Sequence, residues 1–208
     1  MKHLSLCLSL TALFLVRGVV AAESAPAPAP AAHTTHAVAH AGPPQVVVVT
    51  SAGSFTLELN EERAPLTVAS FLKYVDDGQY TNTVFHRVIS SFIIQGGGFD
   101  TNYKSKPAAR KTSNESGNGL TNVRGTVGLA RTSEPHSGDC QFYINLADNN
   151  ALDPSPARWG YAVFGKVVQG MDVIDRIGAV STGPHGEFKE DVPLEMITIQ
   201  RIERVRQP

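Results

Sequence analysis

The chain has 208 residues, a formal net charge of −1 and a 42% hydrophobic share, which fits one globular domain with extra sequence at an end. With no basic excess, nothing draws it to nucleic acid. Two cysteines, Cys7 and Cys140, are too few for a disulfide-stapled scaffold, so stability must come from a packed core.

Residues 1 to 22 read as a signal peptide: Lys2, an apolar run from Leu4 to Val16, and small residues at Val20-Ala21-Ala22 where a peptidase would cut. The run is shorter than the roughly 20 residues a bilayer requires and Arg17 interrupts it, so no integral membrane anchor is expected. Cleavage would remove Cys7 and leave Cys140 without an intramolecular partner. Residues 23 to 44, ESAPAPAPAAHTTHAVAHAGPP, form an Ala/Pro/His-rich linker that cannot bury enough surface to fold. His33, His36 and His40 have helical spacing, but the flanking prolines and the lack of carboxylate or thiol partners argue against a metal site. The folded domain is expected over 45 to 206.

Within it, VVVVT (46 to 50), the turn Ser51-Ala52-Gly53 and the alternating FTLEL (55 to 59) predict a β-hairpin. Pro65 suits a first helical position, and Val68, Phe71, Leu72 and Val75 recur at i, i+3, i+4 and i+7 before Asp77-Gly78. Short strands are predicted at 84 to 89, 92 to 95, 126 to 130, 141 to 146 and 161 to 168, with a second helix at 171 to 177 and a last strand at 196 to 205. Residues 100 to 125 read as a long surface loop. Many short strands with only two amphipathic helices point to a β-barrel or sandwich capped by helices.

Several chemistries are absent. Gly96-Gly97-Gly98 lacks the order of a dinucleotide fingerprint, no G-K-[ST] closes a phosphate loop, and neither G-x-S-x-G nor H-E-x-x-H occurs. No cofactor and no metal is expected. Cys140, ahead of an apolar strand, reads as a small buried residue rather than a nucleophile.

FHRVISSFIIQGGGF, residues 85 to 99, sets one arginine among apolar residues. Strict alternation over 84 to 89 would place Phe85, Arg87 and Ile89 on one face and Val84, His86 and Val88 on the other. A guanidinium does not deprotonate in a protein, so Arg87 can only donate hydrogen bonds and hold charge. The pattern leaves two readings open, a carboxylate-paired arginine and one that faces a ligand.

FHRVISSFIIQGG resembles the signature of cyclophilins, the F-H-R-(V/I)-I-x-x-F-x-x-Q-G-G run of peptidyl-prolyl cis-trans isomerases. GTVGLAR (125 to 131), QFYINL (141 to 146) and GYAVFGKVVQGMDVID (160 to 175) resemble three further family segments in order and spacing, so the likeness extends from about Val46 to Val205. It implies a mainly β fold, a closed eight-stranded antiparallel β-barrel capped by two α-helices, with a groove outside the barrel for proline-containing peptides. By the same resemblance Arg87 is the catalytic residue, an unpaired donor at the edge of an apolar groove. Phe92, Ile93, Tyr143 and Leu152 match the proline pocket, Gln95, Ala130, Arg131 and Gln141 the positions that hold the peptide, and His86, Phe164 and Tyr161 neighbouring substrate positions. The three glycines then read as a tight turn beside Gln95. Ser90-Ser91 departs from the usual Pro-Gly. Ala151 stands where cyclosporin-sensitive members have Trp, which implies weak cyclosporin binding. The export signal and short insertions resemble the bacterial periplasmic subgroup, and a monomer that isomerises prolyl bonds in unfolded exported proteins is expected in the periplasm, with secretion as the alternative. The competing reading is a non-catalytic proline-peptide binding module or holdase chaperone.

Overall fold

The structure is a computed structural model and describes residues 42 to 206. The expected signal peptide, most of the linker and its three histidines lie outside the described residues. Ten strands and two helices follow one another as β1 (Gln45–Thr50), β2 (Gly53–Leu59), α1 (Pro65–Asp76), β3 (Thr83–Ile89), β4 (Ile93–Asp100), β5 (Thr126–Leu129), β6 (Phe142–Asn145), β7 (Val163–Gln169), α2 (Met171–Gly178), β8 (Thr182–His185), β9 (Phe188–Pro193) and β10 (Thr198–Arg204), with a 3₁₀ turn at Asn150–Leu152. Eight of the strands close into an antiparallel barrel in the order β1-β10-β3-β4-β6-β5-β7-β2, and β8 and β9 form a separate two-stranded hairpin.

Period-two patterning builds the wall. Val46 and Val48 of β1 and Phe55, Leu57 and Leu59 of β2 are fully or almost fully buried, and the hairpin register pairs Val46 with Leu57 and Val48 with Phe55. The turn is tied by the Thr50 hydroxyl, which donates to the Gly53 carbonyl at 2.6 Å and accepts from the Ala52 N–H at 3.1 Å. The interior is solid: the Phe142 and Phe164 rings lie against Phe71 of α1 at centroid distances of 5.7 and 5.2 Å, and Val173, Ile174 and Ile177 bring in α2. The α1 face that packs inward carries Val68, Phe71, Leu72 and Val75, as the spacing predicts. Its N-cap residue, Ala64, offers no side-chain bond. Glu115, from the long loop, caps instead, accepting from the Leu66 and Thr67 N–H groups at 3.1 and 2.8 Å.

That loop, expected over 100 to 125, is pinned by asparagines that satisfy distant backbone. Asn114 Nδ2 donates to the carbonyls of Pro135 and Gly160, and Asn118 Nδ2 to that of Val163.

Three features differ from the sequence expectations. The glycine run is not a turn: β4 runs straight through it to Asp100. An added Cβ would meet Phe85 at 2.9 Å from Gly96, Tyr80 at 2.9 Å from Gly97 and Gln141 at 2.4 Å from Gly98. The glycines therefore admit neighbouring side chains, and Gly97, at φ +90, carries an irregularity in the β3–β4 ladder. The second difference is the β8–β9 hairpin, for which no strand was expected. The third is the alternation of β3. Phe85 pairs with Gly96 and Arg87 with Gln95, so two steps on β3 match one on β4 and His86 is the extra residue of a β-bulge. Phe85 and Val88 both join the barrel core. Arg87 consequently lies on the opposite face from Phe85, not beside it.

Candidate active site on the outer face of the barrel

The bulge at His86 turns Arg87 outward, and the ladder then sets it in a row. Arg87 pairs with Gln95, Gln95 with Tyr143, and Tyr143 with Gly128, across β3, β4, β6 and β5. Directly paired residues project to the same side of a sheet, and strands are about 4.8 Å apart, so Arg87 and Tyr143 stand roughly 10 Å apart on one surface. Counting by twos brings in Ile93 on β4, Gln141 just before β6 and Ala130 just after β5. The intervening residues Ile94, Phe142, Ile144, Val127 and Leu129 belong to the core inside the barrel.

The row carries an apolar cluster of its own, separate from the barrel core. Ile93, Ala130 and Tyr143 are its buried members, with Phe92, Leu152 and Tyr161 packed against them and half-buried. Tyr143 forms the floor. The hydroxyl end of its ring lies against Gly128, where an added Cβ would be 2.2 Å from it, its ring meets Tyr161 at 6.0 Å and 83°, and its hydroxyl donates to Asn122 Oδ1 at 2.6 Å. Burial raises the Tyr143 pKa well beyond the ordinary phenol value, so the ring presents a neutral surface. Phe92 leaves the β3–β4 turn, where Ser91 takes φ +59, and Leu152 ends the 3₁₀ turn, its carbonyl accepting from the Tyr161 N–H at 2.9 Å.

Polar groups rim this cluster. Gln95 Nε2 donates to Gln141 Oε1 at 3.1 Å. Arg131 Cζ sits 4.4 Å over the Tyr161 ring, and its guanidinium donates from Nε to the Gly160 carbonyl, from Nη1 to that of Thr132 and from Nη2 to that of Trp159. Three of its five N–H donors are thus engaged by backbone, and Arg131 fixes the wall at 159 to 161. Arg87 has a 43% exposed side chain, and its Nε donates to Asp191 Oδ2 at 3.3 Å. The expectation of an unpaired donor is corrected here: the carboxylate partner is real, supplied by the unexpected hairpin, and engages only one edge of the guanidinium. No hydrogen bond of Arg87 Nη1 or Nη2 to another described residue accompanies it.

Two expected substrate residues are not at the surface. Phe164 has no exposed area and lies in the barrel core against Phe71, because its β7 position has inward parity. His86, as the bulge residue, is buried with its ring 4.5 Å from Phe99 and 5.8 Å from Phe188. Its place is the contact between barrel and hairpin, and burial with the adjacent Arg87 charge lowers its pKa to about 4. Cys140 is buried as expected, and burial pushes its thiol up to about 11.

Side chains that support the pocket were not found from sequence. Asn122 is fully buried. It holds Tyr143 and donates from Nδ2 to Asp153 Oδ1 at 2.8 Å, tying the floor to the segment that carries Leu152. Asn149 Nδ2 donates to the Phe92 carbonyl at 2.8 Å. Nothing in the spacing of these asparagines marks them. Elsewhere, a cleft of about 1100 Å³ bordered by Pro44, Leu59, Leu120, Lys166 and Arg204 shares no residue with this site. No group of three or more His, Cys, Asp or Glu able to hold a metal occurs among the described residues.

An outward arginine, a glutamine pair and an apolar, aromatic cluster thus share one row on a closed barrel. The family model described as "Cyclophilin type peptidyl-prolyl cis-trans isomerase/CLD" matches residues 45–204. This chain belongs to the cyclophilin family. It is a peptidyl-prolyl cis-trans isomerase. A peptidyl-prolyl cis-trans isomerase of Acinetobacter baylyi is 46% identical over 166 residues, covering 80% of this chain and 86% of the relative. Peptidyl-prolyl cis-trans isomerase B of Escherichia coli is 46% identical over 156 residues, covering 74% of this chain and 94% of the relative. Among solved structures, a cyclophilin type isomerase of Cryptosporidium parvum superposes with a TM-score of 0.67 at 26% identity, covering 79% of this chain and 99% of that one. A second structure of that cyclophilin, determined in the presence of the dipeptide Ala-Pro, gives 0.66 at 27% identity, covering 78% of this chain and 99% of that one.

Proposed function

We infer that this cyclophilin isomerises prolyl bonds in unfolded exported proteins, with Arg87 donating to the prolyl nitrogen of the twisted peptide bond. The observation that carries this reading is the row Arg87–Gln95–Tyr143 beside the separate apolar cluster. Amide resonance sets a barrier of about 18 to 20 kcal/mol, and twisting the bond returns a lone pair to the nitrogen. A donor aimed at that nitrogen bonds better to the twisted amide than to the planar one, so its energy lowers the barrier instead of merely tightening binding.

The proline ring would rest on Tyr143 between Phe92, Ile93, Leu152 and Tyr161, with Gln95, Gln141 and Ala130 along the peptide. This agrees with the Ala-Pro dipeptide present with the Cryptosporidium relative. Ala151 is exposed on the 3₁₀ turn and brings no ring to the pocket, so cyclosporin inhibition is expected to be weak. A nanomolar inhibition constant would contradict that.

The leading segment 1 to 22 supports the periplasm as the site of action, where slow prolyl steps limit folding. Among the described residues no helix is long and apolar enough to cross a membrane. The reading is tested with a short Ala-Pro-Phe peptide: Arg87→Ala should lower kcat/KM by about 10² to 10³, the usual loss for one transition-state donor. Equal rates for variant and parent would remove the catalytic assignment and leave a proline-peptide binding module.

A further inference from the structure

We propose that Asp191 is a positioning residue for the isomerisation, holding the Arg87 guanidinium by Nε so that its other N–H groups face the groove. The proposal rests on the reading of Arg87 given above.

Asp191 Oδ2 accepts from Arg87 Nε at 3.3 Å, and the two residues are 104 positions apart. A guanidinium is planar with its donors in a fixed fork, so fixing Nε sets the plane in which Nη1 and Nη2 point. The long arginine side chain otherwise has to be ordered in the transition state. Stability alone explains the pair poorly. Both side chains are partly exposed, Arg87 at 43% and Asp191 at 23%, and such pairs contribute little. Asp191 also has φ +68, a left-handed backbone that glycine adopts more easily, and departures of this kind gather at functional positions.

The hairpin is built to carry the carboxylate. Phe188 meets Phe99 edge to face at 5.1 Å and lies tilted against His86, the residue before Arg87, at 5.8 Å. Val192, next to Asp191, is buried. Barrel and hairpin thus meet through Phe188 beside His86, one residue from Arg87 and three residues from Asp191.

Two variants separate positioning from folding. Asp191→Gly relieves the backbone and deletes the carboxylate, whereas Asp191→Asn keeps size, tolerance of the left-handed backbone and an uncharged acceptor. With kcat and KM measured separately on the full-length protein, Asp191→Gly should lower kcat about tenfold. Asp191→Asn should lose about threefold, since a neutral acceptor bonds roughly half as strongly. KM should stay within about twofold and thermal melting should remain native-like, because the contact acts on the transition state. The Arg87 Nε–H signal should exchange with water faster in both variants. Should Asp191→Asn melt early, Asp191→Gly decides. Parental kcat in folded Asp191→Gly, while Arg87→Lys loses activity, would overturn the role of Asp191 and leave Arg87 standing. Full activity in Arg87→Lys would instead remove the Arg87 reading, and that of Asp191 with it.

Discussion

Arg87 offers only N–H donors and no acceptor, so what it can do depends on where they point. One inserted residue decides that. His86 occupies the bulge, so Phe85 enters the core, His86 goes under the hairpin, and Arg87 faces outward beside Gln95. Ser91 is the second residue that bends a local rule, taking φ +59 in the turn before Phe92. Ser91→Gly should therefore raise stability by about 0.5 to 1 kcal/mol in chemical denaturation, with kcat/KM unchanged, since the turn is kept and only its strain is relieved. A loss of stability would show that the serine hydroxyl matters more than the backbone. At this scale the sequence was partly legible. The motif around Arg87 named Phe92, Ile93 and Gln95, which the fold brings to one surface with it, but strict alternation assigned Arg87 to the wrong face, because a bulge leaves no mark in a run of six residues. Phe164 shows the complementary limit, since nearness to a motif does not fix which side of a strand a residue takes.

Among the elements, β4, β5 and β6 form the floor, and their glycines decide what can lie on it. A methyl group at Gly128 would collide with the rigid Tyr143 ring at 2.2 Å, and one at Gly98 with the flexible Gln141 chain at 2.4 Å. The two substitutions should part company. Gly128→Ala should cost about 1 to 3 kcal/mol of stability, as overpacking does, whereas Gly98→Ala should fold almost normally but raise KM as Gln141 swings away from Gln95. Denaturation curves beside steady-state kinetics separate the outcomes, and identical effects at both sites would contradict the roles given to Tyr143 and Gln141. The barrel strands were readable because one face of each meets the core and period two survives. The β8–β9 hairpin, TGPHGEFKEDVP within 182 to 193, was not. It is polar on both sides, carries Gly and Pro, and is held by Phe188 and Asp191 through contacts far apart in sequence.

For the whole molecule, the join between barrel and hairpin should set the acid limit of stability. His86 is buried between Phe99 and Phe188, its Nδ1 has no hydrogen-bond partner, and its pKa falls from 6.5 to about 4 through desolvation and then the Arg87 charge. Between those values the unfolded chain binds a proton that the folded chain does not, so stability declines as pH falls from about 6.5 to about 4, by roughly 3 kcal/mol in total. Urea unfolding at pH 7 and pH 4.5 should show the decline in the parent protein and a much shallower one in His86→Phe, which keeps an aromatic ring and removes the titration. An equal decline in both would place the acid sensitivity elsewhere. The role proposed for Arg87 lies on the twisted bond and not on the ground state. Nuclear magnetic resonance exchange on a bound Ala-Pro-Phe peptide measures both quantities in one sample. Arg87→Ala should leave the dissociation constant within about twofold and slow cis-trans exchange of the bound peptide by about 10² or more. Weakened binding with an unchanged bound exchange rate would contradict that role.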